Sequence, residues 1–210
     1  MTRSLPAITT APSESHYKQV LKAPCAVRID GRTELIALPA GDSSYELLAA
    51  LRRIKYAKTA RTNGLITHSR TFGYSPRVAV RSDFCCAAKL VHESPDINAI
   101  LEKWGRKGDT AIQEHLPEQY AAQTELLKGV LPYWRMNDTN FTSGIANKNN
   151  ALGYHRDSGN FKGAWSVMFA FQRGIEGGLL SIPELDIALD FVFYAVFPIG
   201  FILADPVSNG

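Results

Sequence analysis

The spacing of apolar residues changes along the chain, and each change predicts a different element. Residues 26–38 alternate in part between apolar and polar side chains on either side of Asp30-Gly31. This pattern is typical of two strands joined by a tight turn. Residues 47–54 then carry leucine and isoleucine at helical spacing, which predicts a helix that begins near Tyr45.

Proline and glycine set the next boundaries. Residues 70–77 contain Gly73 and Pro76, and this content predicts a loop. Ser94-Pro95 has the order of a helix start, and we expect that helix to end at Gly105 or Gly108. A further helix is predicted from about residue 117 to 127.

After residue 141 the pattern consists of short apolar segments separated by glycine, proline, asparagine and aspartate. Four strands are predicted, at 164–172, 178–182, 187–193 and 199–203. Helices followed by a run of strands favour an α+β fold. Residues 1–15 are rich in Thr, Ser, Pro and Ala and predict a mobile leader, whereas residues 16–210 predict a single domain.

Composition narrows the functional class only slightly. The 210 residues are 45% hydrophobic and 20% charged, with a net charge of +3. This balance permits contact with nucleic acid without requiring it. A basic run that includes Arg52, Lys55 and Arg61 is typical of a solvated helix face, with a phosphate-contacting edge as the alternative.

Cysteine usage and hydropathy bear on location. An odd count of three cysteines, with Cys85 and Cys86 adjacent, is not a disulfide framework and favours a reducing cytoplasm. The adjacent pair is interpreted as two small buried hydrophobes. The apolar run at 191–204 is shorter than the roughly 20 residues that span a bilayer, so no membrane contact is expected.

The segment from Gly153 to Asn160 carries the chemistry. His155 and Asp157 stand two positions apart, and on an extended strand such side chains lie on the same face. They would supply two of the three ligands in the 2-His-1-carboxylate set of non-heme iron oxygenases, which leaves one face of the metal open. The alternative is a polar turn in which His155 has a structural role.

Several motifs around this segment occur in the order of a known family. They are Thr71-Phe72-Gly73-Tyr74-Ser75-Pro76-Arg77, Trp134-Arg135, Thr142-Ser143-Gly144-Ile145-Ala146-Asn147, Leu152 to Asn160, Gly163-Ala164-Trp165-Ser166, Arg173 to Leu180 and Pro183-Glu184-Leu185. Across roughly residues 65 to 190 the chain resembles the 2-oxoglutarate- and Fe(II)-dependent dioxygenases of the TET/JBP type, especially their phage and bacterial relatives.

The resemblance implies a fold and an activity. The fold would be a distorted double-stranded β-helix (a jelly-roll or cupin-like form) with an N-terminal helical layer and a β-helix core at about 141–210. The activity would be hydroxylation of the 5-methyl group of 5-methylcytosine or thymine in DNA, with the base flipped from the stack. Fe(II), 2-oxoglutarate and O2 would take part, in the cytoplasm, on the nucleoid, or in the host cytoplasm for a phage protein.

The resemblance also suggests roles for individual residues. His155 and Asp157 match the first two metal ligands, and Asn147 and Asn160 would contact the base. Ser166, Arg77 and Arg81 would line the cosubstrate pocket. Ordinary alternatives stay open: Asn147 as a strand-end cap, Ser166 as a plain strand residue and the two arginines as surface residues. Trp165 and Phe169 are expected in the core.

One part of the family pattern is not matched. No histidine follows His155, and Asn209-Gly210 stands where a His-Gly pair is expected. Either Asn209 replaces the ligand, or the chain stops before it, or a distant residue such as His68 or His92 completes the site. A 2-oxoglutarate-binding arginine further on is also unmatched. Two other functions therefore remain, an oxygenase acting on a small molecule or nucleotide and a catalytically impaired β-helix binding module.

Overall fold

The computed structural model describes residues 13–39, 44–60, 66–78, 81–150, 153–155, 163–171, 179–190 and 193–198. At residues 59–60, 66, 76–78, 81–84 and 193–198 it describes the backbone alone. Asp157 and Asn160 lie outside these ranges, as do the strand predicted at 199–203 and residues 209–210.

The described part of the chain mixes α-helices with largely antiparallel sheets. The helices are α1 (Ser44–Arg53), α2 (Lys89–Glu93), α3 (Pro95–His115) and α4 (Pro117–Leu126). The strands are β1 (Gln19–Leu21), β2 (Cys25–Ile29), β3 (Arg32–Pro39), β4 (Ala57–Ala60), β5 (Ile66–Val78), β6 (Arg81–Ala87), β7 (Ser143–Asn147), β8 (Trp165–Ala170), β9 (Leu180–Ile182), β10 (Ile187–Leu189) and β11 (Phe193–Pro198).

Three sheets organise these strands. The first sheet has the order β1-β10-β9, with β1 parallel to β10. The second sheet has the order β2-β3-β11-β8 and is antiparallel throughout. In the third sheet β5 pairs with β4, β6 and β7. Six strands precede α2, so helices and strands alternate more than the predicted order of helices followed by strands.

The predicted hairpin is confirmed. Strands β2 and β3 pair with Ile29 opposite Arg32, which leaves a two-residue turn. Asp30 and Gly31 in that turn have φ angles of 49° and 79°. Positive φ at both central positions is the requirement of the hairpin turn that matches strand twist, and aspartate followed by glycine meets it at low cost.

The centre of β3, in the second sheet, is buried on both faces. Leu35 and Ala37 pack into a cluster with Leu180 and Leu189 of the first sheet. Ile36 packs on the opposite side, in a cluster with Ile112 of α3. A strand that is covered on both faces has no polar side to alternate with its apolar side. The continuous apolar run Leu35-Ile36-Ala37 follows from this position.

Helix α3 is longer than predicted, because neither glycine ends it. It continues through Gly105 and Gly108 to His115. A Cβ atom built on Gly108 would lie 2.9 Å from Cγ1 of Val167 in β8. Gly108 is therefore a point of close approach between the helix and the second sheet, and the missing side chain makes that approach possible.

The loop predicted at residues 70–77 is wrong, since these residues belong to the 13-residue strand β5. Residues 69–73 of β5 pair with β7, and residues 74–78 pair with β6. Gly73 lies at the change of partner with a φ of 71°. The glycine and proline that suggested a loop thus mark an irregularity inside a strand.

The remaining helices and strands agree with the predictions for the most part. Helices α1 and α4 occupy the predicted segments, and β8, β9 and β10 fall within the predicted strands. Trp165 is buried, and Phe169 packs against Trp104 with ring centroids 5.1 Å apart, so both belong to the core as expected. Cys85 is buried, but Cys86 is exposed, so half of that prediction is wrong.

Candidate functional site

His155 is the last residue of a short described segment, Gly153-Tyr154-His155. Its imidazole is half-buried. Its Nδ1 atom lies 3.0 Å from the carbonyl oxygen of Gly153. A carbonyl oxygen only accepts hydrogen bonds, so this contact places the proton on Nδ1. The lone pair of the neutral ring is then on Nε2, the form in which histidine coordinates metals while its other nitrogen is held by the protein.

Tyr154, the residue before it, anchors this segment. Its side chain is fully buried, and its hydroxyl lies 2.8 Å from Ser181 Oγ in β9. The same hydroxyl lies 3.1 Å from Nδ1 of His16, which also accepts the backbone N–H of Ser13. Tyr154 therefore donates to His16 and accepts from Ser181, because the lone pair of His16 is on Nδ1.

This anchor joins parts of the chain that are far apart in sequence. Residues 14–16 form a 3₁₀ turn, so the end of the predicted leader has a defined structure. The ring of His16 lies 5.3 Å from that of Tyr154, between centroids. The backbone next to His155 is thus held between the first sheet and the residues that precede β1.

Asn147 lies at the end of β7 and is held through its side-chain oxygen. Ser69 Oγ donates to Asn147 Oδ1 at 2.7 Å, and Asn150 Nδ2 donates to the same oxygen at 3.0 Å. The backbone N–H of His68 fixes Asn150 Oδ1 at 2.7 Å. We call Ser69, Asn147 and Asn150 the amide cluster.

The amide cluster explains how Asn147 can be both exposed and fixed. Asn147 is exposed to solvent, whereas Asn150 behind it is buried. The contacts of the cluster are made to the carbonyl oxygen of Asn147, so they use neither of the two N–H donors of its NH2 group. A donor fixed in this way is suited to meet an acceptor on a ligand.

The other predicted site residues are placed less completely. Ser166 is half-buried in β8, opposite Phe197 of β11. Arg77 and Arg81 lie near the ends of β5 and β6, where Val78 pairs with Arg81, and the structure describes their backbone alone. His155 and Asn147 are separated by eight positions in the chain, and Asp157 and Asn160 fall outside the described residues.

Among the described residues, no three histidine, cysteine, aspartate or glutamate side chains come together as a possible metal site. His155 fits an iron ligand, because a proton on Nδ1, held by the Gly153 carbonyl oxygen, leaves the lone pair on Nε2.

A second polar cluster was not foreseen from the sequence. Gln123 in α4 donates from Nε2 to the carbonyl oxygen of Asn140 at 3.1 Å, and its Oε1 accepts the backbone N–H of Trp165 at 2.8 Å. Asp109 in α3 accepts the backbone N–H of Asn140 at 3.0 Å. We call Asp109, Gln123 and Asn140 the buried cluster, since each is less than 10% exposed.

Burial sets the ionisation of the buried cluster. Removal from water raises the pKa of Asp109, and this effect exceeds the opposing hydrogen bonds from the Asn140 N–H and the Tyr120 hydroxyl. The pKa of Tyr120 is raised too, first by burial and then by the nearby Asp109 charge. The only sequence signal for this cluster is a glutamine at a core-facing position of α4, and glutamine is common on helix surfaces.

Two shallow depressions lie away from His155. One, of about 310 Å³, is lined by Cys25, Arg28 and His115 among others. The other, of about 260 Å³, lies between α1 and α3 and includes Glu46 and Lys103. Burial raises the pKa of the Cys25 thiol, which disfavours the thiolate and makes it a poor nucleophile.

Comparison with known proteins adds no family. No model of a known protein family matches the sequence, and no curated protein matches it. In the part of the chain that the structure describes, no helix has both the length and the apolar character needed to cross a membrane.

Proposed function

We propose that this chain is an Fe(II)- and 2-oxoglutarate-dependent oxygenase that hydroxylates the 5-methyl group of a pyrimidine base in DNA. The observation that carries the proposal is the His155-x-Asp157 motif, with His155 Nδ1 held by Gly153. The order of the surrounding motifs supports the choice of the TET/JBP type of oxygenase and of a DNA base as the substrate.

The packing of two sheets supports a double-stranded β-helix. The first and second sheets enclose an apolar cluster that includes Leu35, Ile182 and Ile187. A sandwich of antiparallel strands with a ligand site in its mouth is the expected form of such a fold. The segment with His155 is tied to this sandwich through Tyr154 and Ser181.

In this proposal the residues divide into three roles. His155 and Asp157 hold the iron, and Ser166, Arg77 and Arg81 contact 2-oxoglutarate, whose carboxylates suit guanidinium groups. Asn147 and Asn160 contact the base. The bound iron and 2-oxoglutarate supply the activation of O2 for hydroxylation.

Asn147 has a particular task. Thymine and cytosine both present a carbonyl oxygen at position 2 of the ring, which is a hydrogen-bond acceptor. The fixed NH2 group of Asn147 can donate to such an oxygen, while Ser69 and Asn150 keep the amide from rotating. This arrangement would orient a flipped pyrimidine without distinguishing between the two bases.

The test is a reaction of the purified protein with Fe(II), 2-oxoglutarate and DNA that contains thymine or 5-methylcytosine. Mass spectrometry of the digested DNA should detect hydroxymethyl bases, and succinate should form in parallel. His155→Ala should abolish both products and weaken Fe(II) binding, measured separately by calorimetry. His115→Ala, at the exposed end of α3, is the matched control and should retain both.

Two results would overturn the proposal. One is the absence of both products with either DNA, and the other is equal Fe(II) affinity of the wild type and His155→Ala. Succinate that forms with free nucleotides but not with DNA would support the iron-dependent reaction and would overturn DNA as the substrate.

A further inference from the structure

Positive charge is concentrated in one segment of the chain. Residues 47–82 contain eight lysine and arginine residues and no aspartate or glutamate. The whole chain has a net charge of only +3, so the remaining residues are net negative. Such asymmetry within one chain is typical of a protein with a polyanionic partner.

Part of this charge is exposed where the chain passes from α1 into β4. Arg52 near the end of α1, Lys55 just after it and Lys58 in β4 are all exposed. Arg53 is neutralised by Asp96 at 2.5 Å. Among the described residues, no carboxylate forms an ion pair with Arg52, Lys55 or Lys58. These three cations are therefore available to an external anion.

The third sheet extends this surface across three strands. Lys58 of β4 lies opposite His68 of β5. The backbone N–H of Lys148 donates to the carbonyl oxygen of His68 at 2.9 Å, one step beyond the pair Ser69 and Asn147. Directly paired residues lie on the same face of a sheet, so Lys58, His68 and Lys148 form a transverse row.

The dimensions of the row suit an extended anion. Neighbouring strands are about 4.8 Å apart, so the backbones at Lys58 and Lys148 are roughly 10 Å apart. The row begins at the exposed Lys58 and ends at the exposed Lys148, and the side chain of Asn147 lies on the opposite face of the sheet, because side chains alternate along a strand. A duplex carries one negative charge per about 1.7 Å of its axis, so it can meet several of these cations at once.

We infer that Arg52, Lys55, Lys58, His68 and Lys148, named the basic row, bind the phosphate backbone of DNA. The inference rests on the proposed function for the choice of DNA as the polyanion. The charge and its placement on β4, on β5 and directly after β7 are properties of this chain and do not depend on that proposal.

The experiment measures DNA binding without iron or 2-oxoglutarate, so it does not depend on the oxygenase chemistry. A fluorescently labelled duplex is titrated with full-length protein, and anisotropy gives Kd at several salt concentrations. The test variant is Lys55→Gln/Lys58→Gln/Lys148→Gln. The control variant, Lys18→Gln/Lys22→Gln/Lys128→Gln, has the same net charge and changes three exposed lysines that each pair with a carboxylate.

We expect the test variant to bind at least about tenfold more weakly at 0.1 M salt. The slope of log K against log salt should fall by about 2 to 3, since each lost phosphate contact removes about 0.9. The control variant should bind within about twofold of the wild type. Circular dichroism of all three proteins checks that each is folded.

Three outcomes would overturn the inference: no DNA binding by the wild type, equal losses in the two variants, or binding to vesicles of anionic lipid that exceeds binding to DNA. None of them bears on iron binding by His155, which is measured separately. Conversely, DNA binding that depends on the basic row would stand even if no base were oxidised.

Discussion

The buried cluster and the amide cluster are built from the same kind of side chain but differ in what they leave exposed. In the buried cluster, Gln123 uses both ends of its amide, one on Asn140 and one on Trp165. In the amide cluster, Asn147 uses its oxygen twice, on Ser69 and Asn150, and remains exposed.

The difference separates structural polar residues from candidate ligand-binding ones. A buried amide must satisfy its hydrogen-bonding groups inside the protein, because an unpaired buried group costs about 1–3 kcal/mol. An exposed amide has water as an alternative partner, so nothing in the fold requires its rotation to be fixed. Fixing an exposed amide therefore adds little stability but prepares it for a ligand.

The largest effect is expected at Gln123. Gln123→Ala should reduce the free energy of unfolding by about 2–4 kcal/mol, because it leaves the Trp165 N–H and the Asn140 carbonyl without this partner and opens a cavity. Gln113→Ala, on the exposed side of α3, should change the same quantity by less than about 0.5 kcal/mol. Urea unfolding measures the free energy of unfolding of both variants. Equal losses in the two would show that the hydrogen bonds of Gln123 have no special structural role.

A smaller change in stability, with a change in activity, is expected at Asn147. Asn147→Asp keeps the oxygen that accepts from Ser69 and Asn150 but loses the NH2 donors. Under the proposed function, kcat/KM on DNA should fall about tenfold while the free energy of unfolding changes by less than about 1 kcal/mol. Asn147→Ala should match this loss of activity. If Asn147→Asp were fully active, the donor would have no role in binding.

The smallest effect concerns the pH dependence of the buried cluster. The folded-state pKa of Asp109 is raised above the ordinary value of 3.8, so the folded protein holds this proton more tightly than the unfolded chain. Its contribution to stability is fully present below pH 3.8 and is lost as the pH rises through the raised pKa.

Asp109→Asn removes this titration while keeping an oxygen for the Asn140 N–H. The stability of the variant relative to the wild type should therefore increase with pH across that window. Urea unfolding of both proteins from pH 3.5 to pH 7 measures the difference. A difference that is constant, or that moves the other way, would contradict the raised pKa.

Local patterns predicted the parts of the fold that depend on neighbouring residues. The Asp30-Gly31 turn, the helix at α1 and the strand β8 follow from turn chemistry and periodicity. Gly108 and the segment around Gly73 were misjudged because their roles come from distant partners. Gly108 leaves room for the side chain of Val167 in β8, and Gly73 lies where β5 changes its pairing from β7 to β6. Sequence spacing does not encode such contacts.

The candidate site was predictable to a similar extent. His155 and Asn147 could be singled out from motifs, but the groups that hold them could not. Ser69 is 78 positions from Asn147, and His16 is 138 positions from Tyr154. Their contacts depend on the pairing of strands that are remote in sequence, and one sequence does not specify that register.

The first sheet imposes an order on the assembly of the chain during synthesis. Gln19–Leu21 pairs with Ile187–Leu189, and Lys18 binds Asp186 at 2.7 Å. Lys18 and Asp186 are 168 positions apart, so β1 can meet β10 only after this long segment has been synthesised, and closing so long a loop is slow. Until then Leu35 and Ala37 lack the apolar cover that β9 and β10 provide. Nascent chains that pause before this point would be natural clients for chaperones.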